Sequence, residues 1–454
     1  MRLKFKKFLR WLYPGMGVKR WAALATLAML AFIFGLILLF GRGLVRWLYA
    51  LLVPAPGYAL LIGGLLLAGG LAGTALGIQR FLNSLIKGVA PEALGQAGEV
   101  IYAQRVLSRG PSVVALGGGT GLSVLLRGLK EHTSNITAVV SVMDTGGSSG
   151  RLRREMEILP PGDIRNCIIA LADDESRIAA LFQHRFREGS FNGHSLGNLV
   201  IAGLQERTGR FDLAIAEMSH ILNIRGQVLP ATLEQVDLIA EMEDGEFVRG
   251  EEEIARDARK IKKIFLSKRP VRPYEQILEE ISQAEVIVLG PGSLFTSIIP
   301  NLLVEDVAQE IERASATKFY IVNLMTQPGE TDGFTAGDHL RVLGEYIDIS
   351  KLDYIVINSQ PVPEPLLRQY EADHAVPVVN DLEPMDLDLG PEGSKPKLKL
   401  KPKPKVITAD LLEIVELEGK PTVKHNSKRL AELIMEEVRE RSQRPRAITK
   451  RRIL

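Results

Sequence analysis

The sequence predicts an α/β protein: a Rossmann-like, doubly wound, mainly parallel sheet with a β-hairpin insertion, preceded by a two-helix transmembrane hairpin. Three observations carry this expectation. Short apolar runs rich in β-branched residues alternate with stretches of helical periodicity, as in strands joined by crossover helices. Several of these runs end in glycine-rich turns. Two uncharged stretches long enough to span a bilayer stand near the start of the chain.

The alternation begins at residues 112–116 (SVVAL), a short run followed by GGGTG (117–121) and then by Leu122, Leu125, Leu126 and Leu129 at helical spacing. ITAVVSVMD (136–144) reads as the next buried strand. EVIVLG (285–290), FYIVNL (319–324) and YIVINS (354–359) repeat the theme. One segment breaks it: LIAEMEDGEFVRG (238–250) alternates apolar residues around Asp244-Gly245, a dipeptide that favours a type I′ hairpin turn. Residues 391–405 (PEGSKPKLKLKPKPK) are too rich in Lys and Pro to bury a core and read as an extended, exposed loop. Leu430, Ile434 and Val438 place a last helix over 427–441. The domain thus runs over 111–441, followed by a basic tail at 442–454.

Residues 21–40 and 58–78 carry no charge and are each about the length of a membrane-crossing helix. The first is too long for a signal-peptide core and has no clean cleavage site after it. Arg2, Lys4, Lys6, Lys7, Arg10, Lys19 and Arg20 precede it, so the positive-inside rule keeps the N-terminus in the cytoplasm. Two crossings return the chain there, at Arg80 and Lys87. The expected localisation is therefore the inner (cytoplasmic) membrane, multi-pass, with the large domain in the cytoplasm. Residues 1–20, with Phe5, Phe8, Trp11 and Tyr13, suit an amphipathic segment on an anionic leaflet as well as a simple basic flank. Gly69, Gly73 and Gly77 form a small-residue face, which seats either the first span or a second copy; a homo-oligomer is expected. Residues 79–110 read as a helical linker interrupted by Pro91.

Lys and Arg number 56 against 54 Asp and Glu, a formal charge of +2 over 454 residues. That balance argues against nucleic acid as a partner. A single cysteine, Cys167, excludes a disulfide within the chain and fits a reducing compartment.

The chemistry lies in the turns. Gly117, Gly118, Gly119, Thr120 and Gly121 stand between a strand and a helix, where backbone N–H groups can face a phosphate, although a purely structural tight turn fits the same residues. The spacing is neither G-x-G-x-x-G nor a P-loop, which counts against a dinucleotide oxidoreductase. Asp144 closes the second strand, where an acid binds ribose hydroxyls or holds a metal such as Mg²⁺. TGGSSG (145–150), with Gly147, Ser148 and Ser149, offers an anion-binding nest. In PPGDIRN (160–166), Asp163 is placed either to cap a helix or to serve the binding site, and Arg165 and Asn166 follow in the first turn, facing a pocket beside these loops, where an Arg suits a phosphate or a carboxylate. His194 and Asn198 fall one helical turn apart, in a structural or a binding role. Gly290, Gly292, Ser293 and Leu294 form another strand-to-helix turn. Asn323, Thr326 and Gln327 are neutral hydrogen-bonding groups after the next strand. In an open parallel sheet all these turns share the carboxyl edge. Phe191 and Phe295 are available to stack on a ligand ring, or simply to pack. The spacing of His and Cys fits no zinc site, and no catalytic triad is legible.

LGGGTGLSVLLRGLK, DTGGSSGRLR, PPGDIRNCIIALAD, GHSLGNL, GPGSLFTSIIPNLLV and YIVNLMTQPGET, in this order, make the chain similar to the gluconeogenesis-factor (YvcK/CofD-like) family over roughly residues 111–440. The resemblance implies one of two activities. One branch of the family contains 2-phospho-L-lactate transferases, which use magnesium to move a phospho-acid group from a nucleotide donor to a deazaflavin. The other contains gluconeogenesis factors, which bind UDP-sugars such as UDP-N-acetylglucosamine and are required for cell shape and wall synthesis on gluconeogenic carbon sources. MDTGGSSGRLR, EMEDGEFVRG and NLMTQPGETDGF resemble the second branch and imply a regulator near cell-wall synthesis proteins, without settling whether it is an enzyme. By resemblance the nucleotide contacts are Gly118, Gly119, Thr120, Asp144, Ser148, Ser149, His194, Asn198 and the 290–294 turn. The hydrophobic N-terminal unit and the Lys/Pro segment depart from the common pattern.

Overall fold

The computed structural model describes residues 106–443 except 174, 383–403 and 418–419, together with Leu30, Gly43, Arg46, Trp47 and Ala50. The expected spans at 21–40 (Leu30 apart) and 58–78, most of the linker and of the Lys/Pro segment, and the tail from residue 444 lie outside the described residues. Among the described residues, no helix is long and apolar enough to cross a membrane. The chain divides into two units after Arg109, and the second, from Gly110, holds the α/β fold.

Its first strand, β1 (Val113–Gly117), leads into α1 (Gly119–Leu129) and then β2 (Ile136–Val140). Helices α2 (Gly147–Met156), α3 (Gly162–Leu171), α4 (Glu175–Phe182), α5 (Leu196–Thr208) and α6 (Phe211–Ile221) precede β3 (Gln227–Pro230). An insertion follows: β4 (Leu238–Met242), β5 (Phe247–Arg249), α7 (Glu251–Arg256) and β6 (Ile261–Leu266). The main sheet resumes through α8 (Glu275–Gln283) to β7 (Val286–Leu289). A π-type turn (Leu294–Ile298) then runs into α9 (Ile299–Leu302) and α10 (Val307–Arg313). The sequence ends with β8 (Thr317–Ile321), α11 (Ala336–Leu343), β9 (Tyr354–Asn358), α12 (Glu364–Ala372), β10 (Lys405–Ala409), the hairpin β11 (Leu412–Leu417) and β12 (Lys420–His425), and α13 (Ser427–Gln443).

Among the described residues the main sheet has seven strands in the order β10-β9-β8-β7-β1-β2-β3, and every pairing is parallel. The physical reason is legible in β1. Val113 and Ala115 pack on one face with α1, α3 and α13, whereas Val114 and Leu116 pack on the other with the insertion and α8. A strand covered on both faces is apolar throughout, and its period-2 alternation sorts residues between two cores. The strand order reverses between β1 and β7. In a doubly wound sheet, the crevice at such a reversal is where ligands bind.

The expected hairpin insertion is present, with two corrections. Gly245 alone of the Asp244-Gly245 pair has positive φ (+88°), Gly245 N–H bonds Met242 O at 3.0 Å, and Met242 N–H bonds Glu246 O at 2.9 Å. This is a three-residue loop, not a two-residue type I′ turn, because Asp244 does not enter the left-handed region. The ribbon also gains a third strand, giving the order β5-β4-β6. Lys405, placed in the exposed loop by the sequence, instead begins β10.

Candidate functional site

Two turns flank the strand reversal. The first follows β1 and opens α1; the second follows β7 and opens the π-type turn. They approach so closely that a Cβ on Gly121 would lie 2.4 Å from the Pro291 carbonyl oxygen, and one on Gly118 would lie 2.5 Å from Ser297 Oγ. Glycine here is a condition of contact between the loops. Behind them Asn323 Oδ1 accepts from Gly292 N–H at 3.3 Å and its Nδ2 donates to Gln327 Oε1 at 3.1 Å, which ties in the turn after β8.

Together these turns bound a cleft of about 750 Å³, within the usual size range for small-molecule sites. Of the residues expected from sequence, Gly119, Thr120, Gly121, Asp144 and Asp163 line it on one side, and Gly292, Ser293, Asn323 and Thr326 on another, with Gln327 beside them. Thr326 is also tied to the backbone of Val376, at 2.7 and 2.9 Å.

The other expected residues stand behind this wall. Ser148 lies 3.0 Å from His194 Nδ1 and accepts from Asn198 Nδ2 at 3.0 Å. Arg165 donates to Ser195 Oγ, to Asn198 Oδ1 at 2.7 Å and to Asn166 Oδ1 at 2.9 Å. Ser149 Oγ accepts from Gly162 N–H at 3.1 Å. These side chains clamp the start of α2 against α3 and α5. Gly117 ends β1, Gly290 has φ +83°, and the Leu294 side chain is fully buried in the core. Phe295 is likewise core, and Phe191 packs against Phe186 and is 54% exposed.

Three local expectations are corrected. Asp163 is not a helix cap: Pro161 precedes α3, and Asp163 sits in its first turn, against Gly119. His194 lies before α5, whose cap is Ser195, so His194 and Asn198 converge on Ser148 without sharing a helix face. TGGSSG is not a loop throughout: α2 starts at Gly147, and the Ser148 and Ser149 side chains are buried within the protein.

The electrostatics of the cleft are dominated by acids. Burial, then Asp144, pushes the Asp163 carboxyl up to about 7. Burial also raises Asp144, against a hydrogen bond from Gly146 N–H at 2.8 Å. Glu251, in the first turn of α7, is pushed up to about 8 by burial and then by Asp144. Glu330 rises to about 7 through burial, opposed by hydrogen bonds from Ser293 and Thr296. Arg165, lowered to about 10 by burial, is the buried cation behind them. Desolvated carboxylates this close together seek a proton or a cation.

The sequence did not single out Glu251, Glu330, or the far wall formed by Tyr370, Thr422, Lys424 and His425. Glu251 begins an acidic run that reads as solvated, and only the fold of the insertion brings it back over the sheet. The far wall carries no motif.

A doubly wound parallel sheet with glycine turns on both sides of its reversal, closing over an acid-lined cleft, defines a mainly parallel α/β protein with a candidate small-molecule site at its carboxyl edge. Residues 113–390 match the family model described as CofD, 2-phospho-L-lactate transferase. The gluconeogenesis factor of Bacillus subtilis is 50% identical over 274 residues, 60% of this chain and 86% of that protein. That of Halalkalibacterium halodurans is 44% identical over 326 residues, 72% of this chain and 96% of the other. A crystal structure of a UPF0052 family member from Bacillus halodurans superposes with a TM-score of 0.64 at 44% identity, covering 72% of this chain and 99% of that one. The chain belongs to this family of CofD-like gluconeogenesis factors.

Proposed function

We propose that the chain is a nucleotide-sugar-binding regulator. In this reading it takes a UDP-N-acetylglucosamine-type ligand in the carboxyl-edge cleft and couples that ligand to envelope growth and cell shape during gluconeogenic growth. The uncharged stretches at 21–40 and 58–78 hold it at the inner membrane, close to cell-wall synthesis proteins.

The observation that carries the reading is the meeting of the β1 and β7 turns at the strand reversal, above a cleft of about 750 Å³. Backbone N–H groups there suit a diphosphate, and the volume leaves room for a base and a sugar. Asp144 and Asp163 are the groups that would hold Mg²⁺. Among the described residues no three His, Cys, Asp or Glu side chains form a metal cluster. An ion there would be bound through one or two carboxylates, with the rest of its shell from ligand phosphate and water. Bound there, Mg²⁺ would neutralise charge between the carboxylates and the diphosphate.

Titration calorimetry of the full chain in detergent tests this reading. UDP-N-acetylglucosamine with Mg²⁺ should bind and be recovered unchanged by chromatography. Absence of binding overturns the ligand class.

A second reading, a phospho-acid transferase, is favoured by one observation: Asp163, Glu251 and Glu330 are held near neutrality, where carboxyl groups serve as general acids and bases. Turnover of a guanosine-linked phospholactate with a deazaflavin acceptor would select it over the first.

A further inference from the structure

The far wall of the cleft is built by the hairpin β11–β12, which lies beyond residue 390, the end of the stretch matched by the transferase family model. The hairpin is firmly seated. Its six paired positions run from Leu412 opposite His425 to Leu417 opposite Lys420. Leu412 and Val423 join a small apolar cluster with Leu324, Val362 and Leu366, and the Val423 N–H donates to the Tyr370 hydroxyl at 2.9 Å. At its inner end stands His425, 7% exposed and lining the cleft, its buried Nε2 without a hydrogen-bond partner among the described residues. Burial holds this imidazole neutral, with its pKa down to about 4, and its remaining hydrogen bond is to the Val322 backbone. A neutral ring that bonds backbone through Nδ1 presents Nε2 as an acceptor. Buried polar atoms are almost always satisfied, so an orphaned acceptor at a cleft wall marks the place of a missing donor.

We propose that His425 is a specificity-determining residue of the cleft, accepting a hydrogen bond at Nε2 from an N–H or O–H on the uncharged part of the ligand, its base or sugar, while the glycine turns hold the phosphates. The division of labour follows from position. The turns that suit phosphate lie at the strand reversal, whereas at the hairpin His425 stands with the uncharged Thr422 and Val423, beside one cation, Lys424, that can also meet an anionic group. A site that hydrogen-bonds a ligand donor rejects analogues lacking it, because its own buried group is then left unpaired. The proposal rests on the nucleotide-sugar reading above.

The test uses the full chain, with UDP-N-acetylglucosamine and inorganic pyrophosphate as probes, each with Mg²⁺. The ratio of the two affinities should fall about tenfold toward pyrophosphate in His425→Leu. It should recover in His425→Gln, whose amide oxygen can replace the Nε2 acceptor. An unchanged ratio in His425→Leu overturns the proposal while leaving the nucleotide-sugar reading intact. If the wild-type chain binds pyrophosphate but no nucleotide sugar, that reading falls and the His425 assignment with it. Should His425→Leu fail to fold, wild-type protein is titrated with ligand analogues that each lack one N–H or O–H donor. One of them should lose about tenfold in affinity, and uniform affinity across the series overturns the assignment.

Discussion

At the residue scale, Asp163 shows how the site opposes its own fold. Its carboxyl keeps some exposure, onto the cleft rather than the outer surface, yet burial and Asp144 hold it near 7. Between the ordinary aspartate value and about 7 the folded chain keeps a proton that the unfolded chain releases. Stability therefore falls as pH rises through that window, and the full cost is present above it. Asp163→Asn should stabilise the ligand-free protein by about 1–2 kcal/mol at pH 8. The gain should vanish near pH 4, and nucleotide affinity should be lost. Thermal denaturation at both pH values checks the first part; equal melting shifts at pH 4 and pH 8 would remove the electrostatic account. Asp163 was legible as a site residue because it lies in a compact polar run, PPGDIRN. Glu330 and His425 were not. Glu330 lies inside the NLMTQPGET motif but draws no notice beside its neutral hydrogen-bonding groups, His425 lies in no motif, and the significance of both comes from burial, which only the folded chain reveals.

At the element scale, α1 links the sheet to the end of the chain. Leu122, Leu125, Leu126 and Leu129 are fully buried, and α13 returns Leu430, Ile434 and Val438 to the same core. The contact is close: a Cβ on Gly128 would lie 2.0 Å from the Ser427 carbonyl oxygen, at the start of α13. Alanine normally favours a helix over glycine by about 1 kcal/mol, but the steric cost dominates here. Gly128→Ala should destabilise the protein by about 1–3 kcal/mol, as measured by urea denaturation; a stabilised variant would contradict the packing. The five central strands and α13 were readable, since both-face burial and 3.6-residue periodicity leave strong patterns. The strands that escaped notice sit at edges or in additions. β3 is only four residues long. β6 has two exposed lysines and no clean alternation. β10 follows directly on the Lys/Pro segment, whose composition masks its start. The length of the loop after Asp244 was misread because Asp-Gly also fits a type I turn closed by a left-handed glycine.

At the scale of the whole molecule, the proposal joins a ligand-sensing domain to a membrane. Two uncharged stretches with basic flanks favour insertion with both chain ends in the cytoplasm. After cell lysis, the full chain should sediment with membranes and resist extraction by alkaline carbonate; release into the supernatant would refute the tether. The ligand, however, is expected in the cleft at the strand reversal. A crystal structure of the protein grown with UDP-N-acetylglucosamine and Mg²⁺ tests that placement most directly. The account predicts the diphosphate against the backbone of residues 119–121 and 292–293, with the base or sugar reaching toward His425. A diphosphate bound elsewhere, such as the separate cavity beside Arg269 and Arg272, would contradict it.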